Sequence, residues 1–539
     1  MTTQRRWNGW GHEDVPARLP ATSLTSLAAL VGSPTPPTDA RLDDVVRAVP
    51  RSRLTDRDVA GLPLSADPED RVRHARGQSL PDWIALRSGR LPAVPDAVAR
   101  PADAAGVRAL FERATNAGWR CVPVGGATNV VGGVTVRPGD RPVVAIDLTG
   151  MAGLRALDAA SGLATFGAGT LGPAVEAALE PHGLALGHAP QSFEWSSVGG
   201  WVATRSSGTS SMGVGRIEAL FAGGHLEAPA GPLDLAPFPA SAAGPDLREL
   251  VLGSEGRLGI LTDVIVRARP RPERDFVRAY RLPDWGAALT AGRALARAGL
   301  PLRLVRVSTP SETQSMLTMA GDRTGVRWLR RYVRWRGHGP ESCLVLVGLA
   351  GSSAVVRSVE GEVASIIRAG HGIGLPGVGA AWQRERFRTP YLRNALWEAG
   401  YAVDTLETAA PWSAVPALAA ALGPALSDGL EPEGERVHPF SHLSHLYPSG
   451  SSLYMTYLFR VADDPDRTLE RWRRLKTIAS RTIVDHGGTI SNQHGVGTDH
   501  AAYLGAEKGP LGMAALADAV ARFDPAGILA RGVLLDDDR

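Results

Sequence analysis

The sequence predicts an α+β protein of more than one domain, and three observations carry that prediction. The chain has 539 residues, too many for one ordinary hydrophobic core. Between Pro95 and about Arg274, short β-rich runs alternate with helical stretches. Strand-like runs end in glycine clusters, the first being Pro123-Val-Gly-Gly-Ala-Thr-Asn-Val-Val-Gly-Gly133, directly after Trp119–Val122.

Residues 1–90 are interrupted by Pro34, Pro36 and Pro37 and carry polar, helical-looking stretches without sheet-like alternation. A helical extension wrapped on the main body is expected there. Residues 91–275 form a first α+β unit, with helices expected over Ala102–Ala117 and Leu171–Pro181 and a boundary at Arg269-Pro-Arg-Pro-Glu273. Residues 276–485 show a second mixture, with strands at Leu344–Gly348 and Leu453–Arg460 and a long helix over Leu469–His486. Residues 486–539 hold another glycine turn and a last helix, Gly512–Phe523. No internal repeat is evident.

Hydrophobic content of 44% with 21% charged residues is that of a globular protein of enzyme size, neither disordered nor fibrous. No apolar run reaches the ~18 residues that span a bilayer, and the first ten residues lack the apolar core of a secretory signal. Cys121 and Cys343 are too few for a disulfide framework, so a reducing, cytoplasmic setting is expected. The net charge of +3 does not argue for nucleic acid, and no nucleic-acid module is recognised. Val326–Arg336 interleaves arginine with Trp, Tyr, Leu and Val. On a helix this suits an anionic lipid surface, or a solvated basic helix packed on the protein by its aromatics.

Glycine allows positive φ and close backbone approach, so the cluster after Val122 can turn several N–H groups into one concavity that cradles the phosphates of a nucleotide cofactor. It is not G-x-G-x-x-G, so a fold other than the Rossmann type is implied. Three further segments share its character: Ser192–Gly208, Gly253–Ile260 and Gly487–Gly497. Hydroxyls and amides at Ser196, Ser197, Gly199 and Gly200 are expected to satisfy pyrophosphate oxygens without a metal.

These four segments in order resemble the flavoprotein superfamily of vanillyl-alcohol oxidase and the D-2-hydroxyacid dehydrogenases. Arg6-Trp-Asn-Gly-Trp-Gly11, Glu194-Trp-Ser-Ser-Val-Gly-Gly-Trp-Val-Ala-Thr-Arg205, Glu407-Thr-Ala-Ala-Pro-Trp412 and Gly450-Ser-Ser-Leu-Tyr454 resemble, within it, the alkyldihydroxyacetonephosphate synthase family. The resemblance covers nearly the whole chain. It implies a two-subdomain FAD-binding domain of the vanillyl-alcohol oxidase type and an α+β cap domain for substrate. It also implies that FAD is held by Pro123, Val124, Gly125, Gly126, Ala127, Thr128 and Asn129, then by Gln191, Ser192, Ser196, Ser197 and Gly200. Thr204, Arg205, Ser206 and Ser207 follow, then Glu255, Gly256, Leu258, Gly259 and Ile260. The superfamily tethers flavin through a His in the first loop or a Cys further on; residues 127–129 read Ala-Thr-Asn, so the FAD is expected to be non-covalent.

The same resemblance maps the catalytic tyrosine onto Tyr454, the substrate-phosphate arginine onto Arg393 and a second active-site arginine onto Arg306. A bidentate guanidinium suits a phosphate dianion. The implied reaction is redox-neutral: Tyr454 as phenolate takes a proton from C1 of an acyl-dihydroxyacetone phosphate, the fatty acid leaves, flavin N5 captures the fragment, and a long-chain alcohol displaces it. That role requires the Tyr454 pKa to fall, with His494, Arg306 and Arg393 as the cations to lower it. A lipid-like substrate, peripheral membrane contact and a homodimer are the partners this implies.

The competing resemblance is to a D-2-hydroxyacid dehydrogenase holding a divalent metal on two His and a Glu. His445 fills the first ligand place, but Tyr454 stands near the second and Gln493 where the Glu would be, so no metal is expected. One departure weakens the synthase reading as well. The synthase family carries three histidines before Gly-Val-Gly, and this chain reads Asn492-Gln493-His494. Amides do not change charge, so acid–base capacity is lost there and Asn492 and Gln493 are left as substrate contacts. His442 and His445 on a neighbouring strand are the imidazoles that can replace it. An oxidase of a hydroxy acid or lipid alcohol, or a flavin-binding protein with weakened catalysis, therefore stay open.

Overall fold

Three large sheets organise the described residues, with a two-stranded ribbon of Leu184–Ala185 and Arg269–Pro270 beside them. The structure is a computed structural model that describes residues 4–536 except 17, 35, 38, 322 and 323. In the first sheet Ala97–Ala99, Val143–Asp147 and Arg120–Val124 run parallel, with Leu64–Ser65 antiparallel at one edge. Val143–Asp147 is buried throughout, as a strand covered on both faces must be. The helix Ala104–Ala117 covers it with Val107, Leu110, Phe111 and Ala114, one apolar stripe at helical spacing. Asp103 caps its start and Gly118, at φ 72°, ends it. The first glycine loop leaves the C-terminal end of Arg120–Val124, where parallel sheets place their ligand sites.

The second sheet is antiparallel, in the order Leu154–Asp158, Leu163–Gly167, Ile260–Arg267, Phe221–Ala228, Gly231–Leu235. The third has seven antiparallel strands: Ile373–Gly374, Arg274–Leu282, Cys343–Gly351, Leu302–Ser308, His438–Leu443, Gly450–Arg460 and Tyr401–Pro411. One face of it carries Val305, Val307, Val345, Leu406, Leu443, Met455 and Tyr457 into the largest core, beside helices Trp285–Arg297, Val415–Ser427 and Pro465–Asp485. Side chains alternate along a strand. Arg306, Glu407, His442 and Tyr454, one position off those core residues, therefore project from the other face.

Two local readings change. The N-terminal region contains a strand, Leu64–Ser65, paired with Ala99 and Val98; two residues are too few to alternate. The expected helix Gly512–Phe523 lies in the second of two helices that meet at Gly509, whose φ of 67° is non-helical; the helix before it, from Ala501, was not expected.

The Trp-Asn-Gly-Trp loop is tied far along the chain. Arg6 N–H donates to Gly11 O at 2.8 Å, closing the loop. Asn394 on the helix Thr389–Glu398 accepts from Trp10 N–H at 3.1 Å and donates to Trp10 O at 2.9 Å. Asn394→Ala leaves both buried backbone groups unpaired, at about 1–3 kcal/mol each. The variant is expected to unfold at lower urea and to be nicked by protease in this loop; an unchanged midpoint and digest would contradict the clamp.

Candidate active site and flavin cradle

The first glycine loop meets the second without room for a side chain. A Cβ on Gly126 would lie 1.5 Å from Trp195 O, and one on Gly125 2.4 Å from Ser197 Oγ. Asn129 shapes the turn, its Oδ1 accepting from Val131 N–H at 3.0 Å and Gly133 N–H at 2.7 Å. The N–H groups of Gly126 to Val130 donate to no group among the described residues. Such a run of free amides is a nest for an anion. Ala127, Arg205 and Glu255 hold φ of 50°, 52° and 49°, one in each of three loops, a left-handed conformation that non-glycine residues adopt where a site demands it.

Several expected cofactor contacts are taken up inside the protein. Gly199 N–H donates to Ala168 O at 2.9 Å and Gly200 N–H to the helix-capping Ser197 Oγ at 3.3 Å, so neither amide reaches a pyrophosphate. Ser196 Oγ accepts from Trp201 Nε1 at 2.7 Å, Thr204 Oγ1 donates to Gly200 O at 2.9 Å, and Ser206 Oγ pairs with His188 Nε2 at 3.1 Å. The Arg205 guanidinium turns outward to Glu249. Val124, Leu258 and Ile260 bury their side chains in apolar clusters and can offer a cofactor only backbone. Gly256 and Gly259 are held by close approach to Pro123 and Glu227, which leaves no room for a Cβ. The Glu255 carboxylate, expected at the cofactor, instead accepts Val496 N–H at 2.6 Å and Gly497 N–H at 2.8 Å and so grips the loop that carries His494.

Arg5 was not expected at this cradle. Its Nη2 donates to Gly126 O at 2.7 Å and its guanidinium lies over the Trp195 ring at 4.8 Å. Burial pulls its pKa to about 10, against the opposing Asp147. It stands one residue outside the Trp-Asn-Gly-Trp motif, so only the fold could reveal it.

One cavity joins the two domains. Gln191, Ser207 and Thr209 line it from the flavin side, and Arg306, His442, Ser444, His445, Tyr454 and Gln493 from the other. Tyr454 sits in register with Glu407 on one neighbouring strand and His442 on the other. The His442 ring stacks on Tyr454 at 4.9 Å and 16°, while His494 meets it edge-on at 5.6 Å and 87°. His445 Nδ1 lies 2.9 Å from Ser211 Oγ and 3.4 Å from Ser207 Oγ. Arg393 lies outside this lining: Nη1 donates to Gln78 O, the guanidinium covers Trp83 at 4.4 Å, and Nε and Nη2 have no partner among the described residues. Burial lowers its pKa to about 10, so it stays a cation with donors to spare.

A model of an FAD binding domain matches residues 95–231, and one of the C-terminal domain of FAD linked oxidases matches residues 271–534. Alkyldihydroxyacetonephosphate synthase of Dictyostelium discoideum is 28% identical over 82% of this chain and 73% of its own. That of Trypanosoma brucei brucei is also 28% identical, over 88% and 78%. A solved alkyldihydroxyacetonephosphate synthase superposes with a TM-score of 0.82 over 98% of both chains at 24% identity, which shows a shared fold. The chain thus carries matches to both domains of FAD linked oxidases and is similar over most of its length to alkyldihydroxyacetonephosphate synthases.

Both matched domain models are of FAD proteins, so the cofactor is FAD, and the nest at Gly126–Val130 fits its phosphates. The two sheets that carry the glycine loops make up the expected flavin domain, and the seven-stranded sheet the α+β cap.

Three expectations within the site need correction. The Tyr454 hydroxyl is not acidified: burial raises its pKa well above the ordinary value, Glu407 and Asp404 add to that, and Arg306 and a bond to Thr405 oppose it without prevailing. Of the cations meant to lower it, Arg393 keeps its charge without prevailing, and the other two are spent or absent. Burial keeps His494 neutral, with a pKa near 4, and Arg306 Nη2 donates to Glu312 Oε1 at 2.8 Å. Asn492 is no substrate contact, since Arg216 donates to its Oδ1 at 2.9 Å and to its carbonyl at 2.8 Å, and Tyr447 OH to Oδ1 at 3.2 Å. Gln493 by contrast faces the cavity with Oε1 unpaired.

Glu407, Glu312 and Arg216 are site residues that the sequence alone did not single out. Glu407 stood in a recognised motif but without a role. Its Oε1 accepts from Ser444 at 3.0 Å, Oε2 is unpaired, and burial raises its pKa to about 7, only partly offset by Ser444, Arg216 and Asn492. The folded protein thus keeps this proton over a range where the unfolded chain, titrating near 4.5, has lost it. Stability from this group is present below pH 4.5 and is lost as pH rises to about 7. Glu407→Gln does not titrate. Relative to the variant, the wild type should lose about 2–3 kcal/mol between pH 4.5 and 8, read from paired urea melts; parallel curves would exclude a raised Glu407.

Proposed function

We propose that the protein is a flavin-dependent enzyme that replaces the acyl group of an acyl-dihydroxyacetone phosphate by a long-chain alcohol, forming an ether-lipid precursor without net redox change. One observation carries this choice over hydroxy-acid oxidation. A phenol, Tyr454, and a neutral amide, Gln493, line the cavity at the places where a metal-holding dehydrogenase would need imidazole and carboxylate. Neither is a good ligand for a hard divalent ion.

FAD, held with its phosphates at the Gly126–Val130 nest, would supply the electrophilic centre that this reaction needs. The protein's own groups supply the rest. Arg393, with two unpaired donors, suits the phosphate. Tyr454, kept protonated, donates a hydrogen bond to the carbonyl oxygen as negative charge develops there. The cofactor is non-covalent in this reading: Ala127 occupies the loop position of a tethering histidine, and Cys121 and Cys343 are buried.

The test is anaerobic incubation of purified protein with acyl-dihydroxyacetone phosphate and hexadecanol, following free fatty acid and the flavin spectrum. Fatty-acid release without lasting bleaching is expected, and acid precipitation should leave a colourless pellet. Tyr454→Phe should slow turnover by about a hundredfold with flavin retained. Bleaching by D-lactate alone, or full activity in the variant, would overturn the assignment.

A lipid-like substrate gives a reason for contact with a membrane, and we infer that the helix Thr324–Trp335 makes it. Leu329, Tyr332 and Val333 pack on the cap sheet, while Trp328 and Trp335 are 66% and 77% exposed among Arg327, Arg331 and Arg334. Exposed indoles beside guanidinium groups suit an anionic headgroup layer. Co-sedimentation with phosphatidylglycerol vesicles is expected to fall at least tenfold when these three arginines become Gln, at about 1 kcal/mol per charge. Undiminished binding would remove this helix from the contact.

A further inference from the structure

The Asn492-Gln493 pair removes two imidazoles from the expected proton-transfer machinery, and the phenol that should act as base is held protonated. A C1 proton still needs an acceptor. Three imidazoles border Tyr454 or its cavity, and their surroundings separate them. His445 has two serine hydroxyls at Nδ1, and its Nε2 lies 3.6 Å from Glu407 Oε1, beyond hydrogen-bonding distance of a carboxyl that burial pushes up to about 7. His494 has no carboxylate within hydrogen-bonding distance, the nearest being Glu407 Oε2 at 3.9 Å. His442 alone has a close carboxylate partner: its Nδ1 lies 2.8 Å from Glu312 Oε1.

The tautomer of His442 follows from its neighbours. Nδ1 is also 3.1 Å from Arg306 Nη2, and one nitrogen cannot both donate to Glu312 and accept from Arg306. Burial would raise the Glu312 carboxyl, but Arg306, His442 and Ser308 outweigh it and hold the group ionised, near 2. A bare Nδ1 lone pair 2.8 Å from that carboxylate would be repelled. Nδ1 therefore carries the hydrogen and donates to Glu312, while Arg306 donates to the same oxygen at 2.8 Å. Nε2 is left as a lone pair with no partner among the described residues, on a ring that lines the cavity against Tyr454.

We propose that His442, oriented by Glu312, is the proton acceptor of this active site, taking the place of the histidines that Asn492 and Gln493 replace. The proposal rests on the reaction given above and assigns its acid–base step. The C1–H bond of the acyl-dihydroxyacetone phosphate breaks, its electron pair moves onto the C2 carbonyl oxygen, and the proton passes to His442 Nε2. The imidazolium formed is paired with the Glu312 carboxylate. The C1–O bond to the acyl group breaks with release of the fatty-acid carboxylate, the alcohol oxygen bonds to C1 and gives its proton to solvent, and a proton equilibrated with water on His442 then returns to C1. Glu312 touches no substrate and acts as a positioning residue. The arrangement has the logic of a carboxylate–histidine pair in acyl transfer, where the carboxylate fixes the tautomer and stabilises the cation.

Two measurements test this, one tied to the substrate and one not. In deuterium oxide without alcohol, the flavin-loaded enzyme should exchange the C1 hydrogen of hexadecanoyl-dihydroxyacetone phosphate. His442→Ala should slow that exchange by about a hundredfold or more, with flavin absorbance unchanged and with rate restored by added imidazole. Glu312→Gln should fall between the two. Exchange in His442→Ala within threefold of wild type, or no rescue from a stable, flavin-bound variant, would overturn the proposal. Independently, diethyl pyrocarbonate should modify His442, located by mass spectrometry, more slowly in Glu312→Gln. A His442 inert to the reagent in the native enzyme would refute the free Nε2 and with it the dyad. If His442 is modified but the wild type exchanges nothing from this substrate, the substrate assignment fails and the dyad stands.

Discussion

The cost of holding charge away from water governs this active site, and each ionisable group there takes the state its partners permit. Glu312 and Glu407 are both carboxyls with almost no exposure, yet they diverge: Arg306 and His442 hold one ionised near 2, and burial drives the other to about 7. Three imidazoles, His442, His445 and His494, are held neutral by the same burial. Two carboxyls and three histidines thereby acquire different chemical roles from environment and not from residue type.

The fold creates those environments by simple means. Antiparallel register aligns Glu407, Tyr454 and His442 across three strands, and the pleat turns them together away from the apolar core and toward the flavin loops. The loops are held by contacts that tolerate no bulk, such as Gly126 against the Trp195 carbonyl. Glu255 joins the two halves, since its carboxylate binds the backbone just beyond His494. Displacement of that loop would therefore move a flavin-side glutamate and a cap-side imidazole together.

Much of this was legible in the sequence, unevenly. The glycine loops announced a phosphate nest because glycine clusters are local and their geometry has few alternatives. They did not announce which amides stay free: Gly199 and Gly200 read as nest residues, but their N–H groups are consumed by Ala168 and by a helix cap. Tyr454 was found through its motif, yet its protonation was misjudged, because Asp404 and Glu407 come close only when the sheet forms. Glu312 had no signal at all, standing 130 residues from His442 in an unremarkable helix start.

The sequence by itself determined the α+β class, the flavin loops, the resemblance to the synthases and the absence of a histidine from the first loop. These follow from short-range patterns, in which spacing along the chain is the physical variable. Only the tertiary structure decided which groups carry charge, which amides remain unpaired and which imidazole keeps a free nitrogen. Those properties depend on burial and on partners more than a hundred residues away, such as Arg216 on Asn492 and Arg5 on Gly126, and no pattern within one segment contains that distance.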